Sequence, residues 1–342
     1  MSASRIGPRC RLGDNVSIID FAGEPWKVTA KLAVMRLLLI VSTLAAGLVV
    51  GQATARDGIV HRDGLDLHYR TIGSGRLLVL LSGGPGIDVD YMLPVAQELG
   101  RSFECVLFEQ RGTGRSRSDK MPASQMSVQN AVEDLEALRQ ALQQDRLLIL
   151  GHSWGGMLAM AYAAAHPDHV DAMILAGPGG MDLKYQRVFG DNINMRLWPQ
   201  DKDAVDKAMA MGRSASPDEA GLAIMTARTP AYFYDRDTGL KFARETPAGS
   251  FHQQAFNLLM LDASQHYNVR NALRSFDRPV LILQGHQDPI GDSNAYEIHS
   301  VLKNSEITWL NRCGHFGWIE QPQDFYKAVR GFLDHPQPRA SE

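Results

Sequence analysis

The stretch that decides the fold runs Arg146-Leu147-Leu148-Ile149-Leu150-Gly151-His152-Ser153-Trp154-Gly155-Gly156-Met157-Leu158-Ala159-Met160-Ala161. Its first apolar run, 147–150, is short enough to be one buried strand, and 157–165 reads as a helix. Gly151 to Gly156 must then form a strand-to-helix turn. A serine between glycines on such a turn has the layout of a nucleophile elbow. The turn is so tight that only glycine leaves room beside the serine, whose Oγ is pushed out above the sheet edge. The same pattern also occurs where small residues simply pack a helix on a strand, so other parts of the chain have to decide between the two.

Working outward, apolar runs alternate with helical patterns. Residues 59–62 and 65–71 predict an opening hairpin around Asp63-Gly64. Residues 77–81 predict a buried strand ending at Ser82-Gly83-Gly84-Pro85-Gly86, and 91–99 a helix. Residues 103–108 predict a strand running into Glu109-Gln110-Arg111-Gly112-Thr113-Gly114-Arg115-Ser116. Residues 128–142 have helical spacing, with Glu133, Asp134, Glu136 and Arg139 expected to face outward. Further strands are expected at 170–175, 279–283 and 307–310, with helices at 294–302 and 322–333. Such alternation predicts an α/β fold with a mostly parallel sheet covered on both faces.

The rhythm breaks over 181–276, which reads as a helical lid inserted into a core of 57–180 and 277–335. Its Met195, Met209, Met211, Met225 and Met260, with Trp198, Tyr232, Phe233, Tyr234, Phe251 and Phe256, are expected to build mainly the insertion's own small core, with some lining a pocket. Residues 1–55 stand apart. Met35-Arg36, an apolar stretch over 37–50 and Ala53-Thr54-Ala55 match a secretory signal, with Met35 as the true start and Arg56 as the mature N-terminus. An uncleaved membrane anchor is the alternative, although the stretch is short for a span. The expected location is therefore periplasmic or secreted.

The chain has 342 residues, 44% hydrophobic and 21% charged, enough for a full core. A net charge of −3 without a basic block argues against a nucleic-acid partner. No motif implies a metal, nucleotide or organic cofactor, and nothing sets an oligomeric state. Cys105 in a core strand and Cys313 beside a histidine read as two free thiols rather than a disulfide. His166-Pro167-Asp168-His169 has the spacing of a ligand pair, but with no further ligands in view it reads as a helix end.

A catalytic serine needs an imidazole to take its proton and a carboxylate to hold that imidazole in the right tautomer. In this architecture the order is Ser, acid, His, each on a loop leaving a strand's C-terminal end. Asp288, in Gly285-His286-Gln287-Asp288, and His315, in Cys313-Gly314-His315, meet that order. His152, His286 and His299 are the rivals for the base. His152 directly precedes the nucleophile and is expected to point away from it. The backbone N–H of Trp154 and of Gly84 are the expected oxyanion donors.

Together, Gly83-Gly84-Pro85-Gly86, the Glu109 to Ser116 segment, Gly151 to Gly156, Gly285 to Asp288 and Gly314-His315 resemble the α/β-hydrolase superfamily, and within it the prolyl aminopeptidase (proline iminopeptidase) group of serine peptidases. The resemblance spans 57–333. The group usually has His where this chain has Ser82, and Asp where it has Glu109. Neither position belongs to the triad. The resemblance implies acidic lid side chains that hold a substrate amine. Glu245 and Asp262 are ranked first for that role, ahead of Glu219, with Asp235 and Asp237 also available. Three readings remain: an exported aminopeptidase releasing N-terminal proline or a small residue, an esterase-type acyl hydrolase with the same triad, or a non-catalytic binding protein. A serine at 153 sets aside epoxide hydrolases and dehalogenases, which use an aspartate there. The partner in either catalytic reading is a small peptide or ester, with no stable membrane partner beyond the export signal.

Overall fold

The computed structural model describes residues 55–118, 122–212 and 214–334. The signal and start-site expectations lie outside the described residues. An eight-stranded sheet has the order β1-β2-β4-β3-β5-β6-β7-β8. Its strands are β1 (Arg56–Arg62), β2 (Leu65–Gly73), β3 (Arg76–Leu81), β4 (Phe103–Phe108), β5 (Leu147–His152), β6 (Val170–Ala176), β7 (Val280–Gly285) and β8 (Ser305–Leu310). The hairpin β1–β2 and the β2–β4 pair are antiparallel. Every later pairing is parallel. The chain therefore leaves each of β3 to β8 at the same sheet edge, where ligands of open α/β sheets sit.

Strand side chains divide by parity. Val79, Leu81, Val106, Phe108, Leu147 and Ile149 enter one apolar layer, while Leu78, Leu80, Cys105, Leu107, Leu148 and Leu150 enter the other. A period of two is what a pleated strand imposes, and apolar residues at both parities give a sheet buried on both faces. Against the first layer pack α2 (Val128–Ala141) and α3 (Trp154–Ala165); against the second pack α1 (Leu93–Leu99) and a C-terminal helix over Pro322–Asp334. Cys105 and Cys313 are both buried and unpaired, and burial pushes the Cys105 thiol up to about 12.

Between β6 and β7 the chain is helical: α4 (Tyr185–Arg196), α5 (Pro199–Met211), α6 (Pro217–Arg228), a 3-10 turn at Thr229–Tyr232, α7 (Arg236–Glu245), α8 (Gln253–His266) and α9 (Arg270–Leu273). Pro217 at N1 and the reciprocal Ser216–Glu219 capping box start α6 as sequence rules require. After β7 come α10 (Asp292–Val301), then α11 (Gly317–Glu320) and α12 (Pro322–Asp334). The aromatic and methionine content of the insertion is not mainly its core. Met195, Trp198, Met209, Met211 and Tyr234 are exposed, and the small core there is Ile193, Leu197, Val205 and Ala231.

Helix α2 corrects a second expectation, because Asp134 and Glu136 are buried rather than outward. Arg111, 1% exposed, donates Nε and Nη2 to the two Asp134 oxygens at 2.6 Å each, and Arg62 adds a bond of 2.8 Å to Oδ1. Helical period alone marks these acids as polar. It does not reveal that the loop after β4 delivers a guanidinium to meet one of them. Asp134→Ala strands the Arg111 charge in the interior, so urea unfolding should show a loss of about 3–5 kcal/mol. A loss below about 1 kcal/mol would show that the pair is dispensable.

Candidate active site

Ser153 follows the last residue of β5 with φ 55° and ψ −113°, a left-handed backbone in a residue that carries a side chain. The flanking glycines make this possible. A Cβ on Gly151 would lie 2.3 Å from the Gly155 carbonyl oxygen, and one on Gly155 would lie 2.3 Å from that of Leu81. The turn is pinned by Ser153 N–H donating to Ala176 O at 3.0 Å and by Gly179 N–H donating to Ser153 O at 3.1 Å. Trp154 is the first residue of α3, so its N–H has no acceptor within the helix.

Asp288, beyond β7, and His315, beyond β8, meet directly. His315 Nδ1 lies 2.8 Å from Asp288 Oδ2, both side chains are almost wholly buried, and Ile290 N–H donates to the other Asp288 oxygen at 2.9 Å. They close over Gly177 at the end of β6, where an added Cβ would lie 2.8 Å from Asp288 Oδ2 and 3.0 Å from His315 Nδ1. The structure thus joins two of the three expected triad members by hydrogen bond and puts Ser153 at the adjoining strand end. A bond from Ser153 Oγ to His315 is not among those formed by the described residues. In unliganded hydrolases that contact is commonly long and tightens with substrate.

The glycine turn after β3 is equally specific. Gly83 N–H donates to Tyr91 Oη at 2.5 Å and is thereby committed. Among the described residues, no acceptor takes the N–H of Gly84 or of Trp154. Ser82 and Glu109 brace neighbouring turns: Ser82 Oγ donates to Ile87 O and accepts from Gln110 Nε2, while Glu109 accepts from Arg115 N–H and Nε.

The expected lid carboxylates are placed elsewhere. Glu245 is solvated and lies 3.9 Å from Lys241 Nζ one helical turn away. Asp262 accepts from Val128 N–H at 2.8 Å, capping α2, and lies 3.0 Å from His266 Nδ1. Glu219 closes the α6 capping box and Asp235 caps α7. A carboxylate that fills the first turn of a helix satisfies donors the helix cannot, and Asp262, Glu219 and Asp235 are held by that local demand.

What the insertion does bring to the site is Tyr232. Its carbonyl accepts from His315 N–H at 2.7 Å, and its ring centroid lies 5.5 Å from the His315 ring. Glu320 reinforces this contact, because its carboxylate accepts from Gly314, Tyr234 and Asp235 N–H groups. Burial raises the Glu320 carboxyl above its ordinary value, against the opposing pull of those donors. Arg196 of α4 donates to the carbonyls of Ala231 and Gln287, tying the same turn to the residue before Asp288.

His152 is 1% exposed, with its ring centroid 4.5 Å from that of His315. Both its nitrogens are engaged, so it is no rival base. Of the other rivals, His286 stacks on Trp309, while His299 Nδ1 lies 2.8 Å from Ser305 Oγ. His166 and His169 do have a third group beside them, because His169 Nδ1 lies 3.0 Å from Glu136 Oε2. That carboxylate already accepts from Arg139, Tyr162 and Gln140, and the Arg139 guanidinium holds it well below the usual carboxylate range. Tyr91 and Glu320 carry no sequence signal of a role, because only contacts across the sheet edge define them.

A family model described as alpha/beta hydrolase fold matches residues 76–322, so the chain belongs to that family, and it is a serine hydrolase. It resembles the prolyl aminopeptidases within it. A proline iminopeptidase of Saccharolobus solfataricus is 25% identical over 279 residues, covering 78% of this chain and 87% of the relative. The solved structure of a proline iminopeptidase-related protein from Thermus thermophilus superposes with a TM-score of 0.63 at 25% identity, over 82% of this chain and 98% of that one. An esterase from Exiguobacterium antarcticum superposes at 0.60 with 18% identity, over 81% and 98% respectively.

Burial drives the His152 imidazole well below its ordinary value, with His315 adding to the shift. Above about pH 6.5 the group is neutral in both folded and unfolded chains. Below it the unfolded chain takes up a proton that the folded chain refuses, so stability falls with pH by up to about 1.4 kcal/mol per unit. Urea unfolding between about pH 7.5 and 5.5 should therefore steepen for the wild type relative to His152→Gln. Parallel slopes would show that His152 protonates freely in the folded protein.

Proposed function

We propose that this hydrolase cleaves acyl bonds through Ser153 as nucleophile, His315 as base and Asp288 as its orienting acid, with oxyanion donors at Trp154 and Gly84. One observation carries the reading: a serine strained into the elbow conformation stands at the sheet edge where a buried histidine is already oriented by a buried aspartate. His315 takes the Ser153 proton as Oγ attacks the carbonyl. The Asp288 carboxylate holds Nδ1–H and stabilises the imidazolium, which then protonates the leaving group. Water repeats the cycle on the acyl-enzyme. The negative oxygen formed in each half lies between the Trp154 and Gly84 N–H groups, where the α3 dipole assists.

For the substrate we propose peptides with a free N-terminal proline or small residue, supported by relatives named proline iminopeptidase. The acyl-ester reading stands beside it on a specific observation. Asp262, Glu219 and Asp235 are each engaged by backbone N–H groups at helix starts, and Glu245 is turned to solvent beside Lys241, so none of the four is shown facing the serine. An ester needs no such group.

A panel of Pro- and Ala-anilides, their N-acetylated forms and short acyl esters separates the two. Ser153→Ala and His315→Ala should each lower turnover on the order of a thousandfold, with folding retained, and Asp288→Asn should also cripple it. Wild-type rates in folded Ser153→Ala would refute the mechanism. Acetylation of the amine should abolish anilide cleavage by an aminopeptidase. Equal rates on blocked and free substrates would establish the esterase reading instead.

We also propose export, on the charge, apolar run and A-x-A pattern over residues 35–55. Mass spectrometry of protein from the periplasm or medium should find an N-terminus close to Arg56. An intact Met1 segment on cytosolic protein would overturn this.

A further inference from the structure

The side chain of His152 sits in an aromatic box. Ring centroids of Trp318, Phe316 and Tyr91 lie 4.8, 5.1 and 5.6 Å from its own. In such surroundings the imidazole is neutral, so one nitrogen donates and the other accepts. Nε2 lies 3.1 Å from the His315 carbonyl oxygen, which can only accept, so the proton is on Nε2. Nδ1 must then accept, and the only hydrogen of Tyr91 Oη, at 2.7 Å, is directed to it. The Tyr91 oxygen has a lone pair left, and the Gly83 N–H donates to it at 2.5 Å. Every proton in the chain is fixed by this elimination. The chain runs from Gly83 through Tyr91 to His152, and from His152 to the main chain of His315.

Its two ends matter because they belong to different halves of the site. Gly83 opens the turn that carries Gly84, and His315 carries the base. The segments are far apart in sequence, and each leaves its own strand. The chain also determines which amide is available. Gly83 N–H is consumed by Tyr91, which leaves Gly84 to act with Trp154. His315 is in turn held at three points: its N–H by Tyr232 O, its carbonyl by His152 Nε2 and its ring by Asp288.

We infer that Tyr91 and His152 are positioning residues that set the separation of the oxyanion turn from the His315 base, through the chain Gly83–Tyr91–His152–His315. The inference rests on the Ser153–His315–Asp288 reading and deepens it. Neither residue touches the reacting atoms. Their effect is on geometry, which a hydrolase site tolerates within about half an ångström.

The test compares Tyr91→Phe, His152→Asn and His152→Gln with the wild type and with Ser153→Ala. Hydrolysis of the best substrate of the panel and the rate of labelling by a fluorophosphonate are both measured, with thermal melts for each variant. Asparagine places an acceptor where Nδ1 stood but loses the donor to His315. Glutamine places a donor where Nε2 stood. Tyr91→Phe and His152→Asn should each lower kcat about tenfold with KM within about twofold, and labelling should slow in parallel. His152→Gln keeps a donor to the His315 carbonyl but loses the acceptor for Tyr91 Oη, so like Tyr91→Phe it should lower kcat about tenfold with KM within about twofold. Folded Tyr91→Phe and His152→Asn that turn over and label within about twofold of wild type would overturn the inference. So would a folded His152→Gln at wild-type rates. Ser153→Ala keeps the two readings distinguishable: if it stays active the triad itself is wrong, whereas if it is inactive while the others are unaffected, only the positioning chain is wrong.

Discussion

The backbone at Ser153 is the constraint around which the site is arranged. A residue with a side chain is held at φ 55° and ψ −113°, a region that costs on the order of 1–3 kcal/mol and persists only where the surroundings enforce it. Here the enforcement is contact. The Gly151 and Gly155 backbones approach their neighbours so closely that no Cβ fits, and the serine main chain is bonded on both sides, to Ala176 and to Gly179. The strain is confined to the residue that has to project from the sheet edge. The buried parallel strands on either side, β3 and β6, supply the rigidity that keeps it there.

The helical insertion is bonded into the proposed site rather than laid over it. Through Tyr232 it supplies the acceptor for His315 N–H, and through Tyr234 and Asp235 it shares the Glu320 carboxylate with Gly314. Arg196 ties the same turn to Gln287, beside Asp288. The Thr229–Tyr232 turn is therefore bonded directly to the loops that carry His315 and Asp288. On the opposite side the insertion is latched by the Ile87–Phe251 bridge and by His252, which lies 2.9 Å from Asp88 and accepts a bond from Arg117. The loop that follows the Gly-Gly-Pro-Gly turn and the loop that holds the base are thus both anchored to the insertion.

Most of the fold could be read in the sequence because its determinants are local. Period-two burial, the glycine-bounded elbow and the order Ser, acid, His each depend on a few neighbouring residues. The strands at 103–108 and 147–150 and the final helix follow directly from their own apolar patterns. That Asp288 and His315 come to one end of the sheet was legible for the same reason, since each lies on a loop that leaves a buried parallel strand at the carboxyl edge. Charges were read less well. Asp134 and Glu136 lie where a helix presents polar residues, and only the delivery of Arg111 and Arg139 makes them interior groups. Glu245 and Asp262 were read as pocket carboxylates from apolar neighbours in sequence, yet sequence neighbours on a helix point around its whole circumference.

The sequence by itself determined that the chain is an α/β hydrolase, where its glycine-bounded serine turn lies, and which aspartate and histidine follow the later strands. It could do so because strand, turn and helix signals act over a few residues. Only the tertiary structure decided what joins these segments. That His152 reaches from the elbow to the main chain of His315, that Tyr91 takes up the Gly83 N–H, and that Glu320 binds the insertion to the base loop are facts about residues from different strand ends. Their meeting depends on strand order and on burial. A hydrogen bond between segments remote in sequence leaves no periodicity or local motif, because either partner alone would be equally at home in solvent.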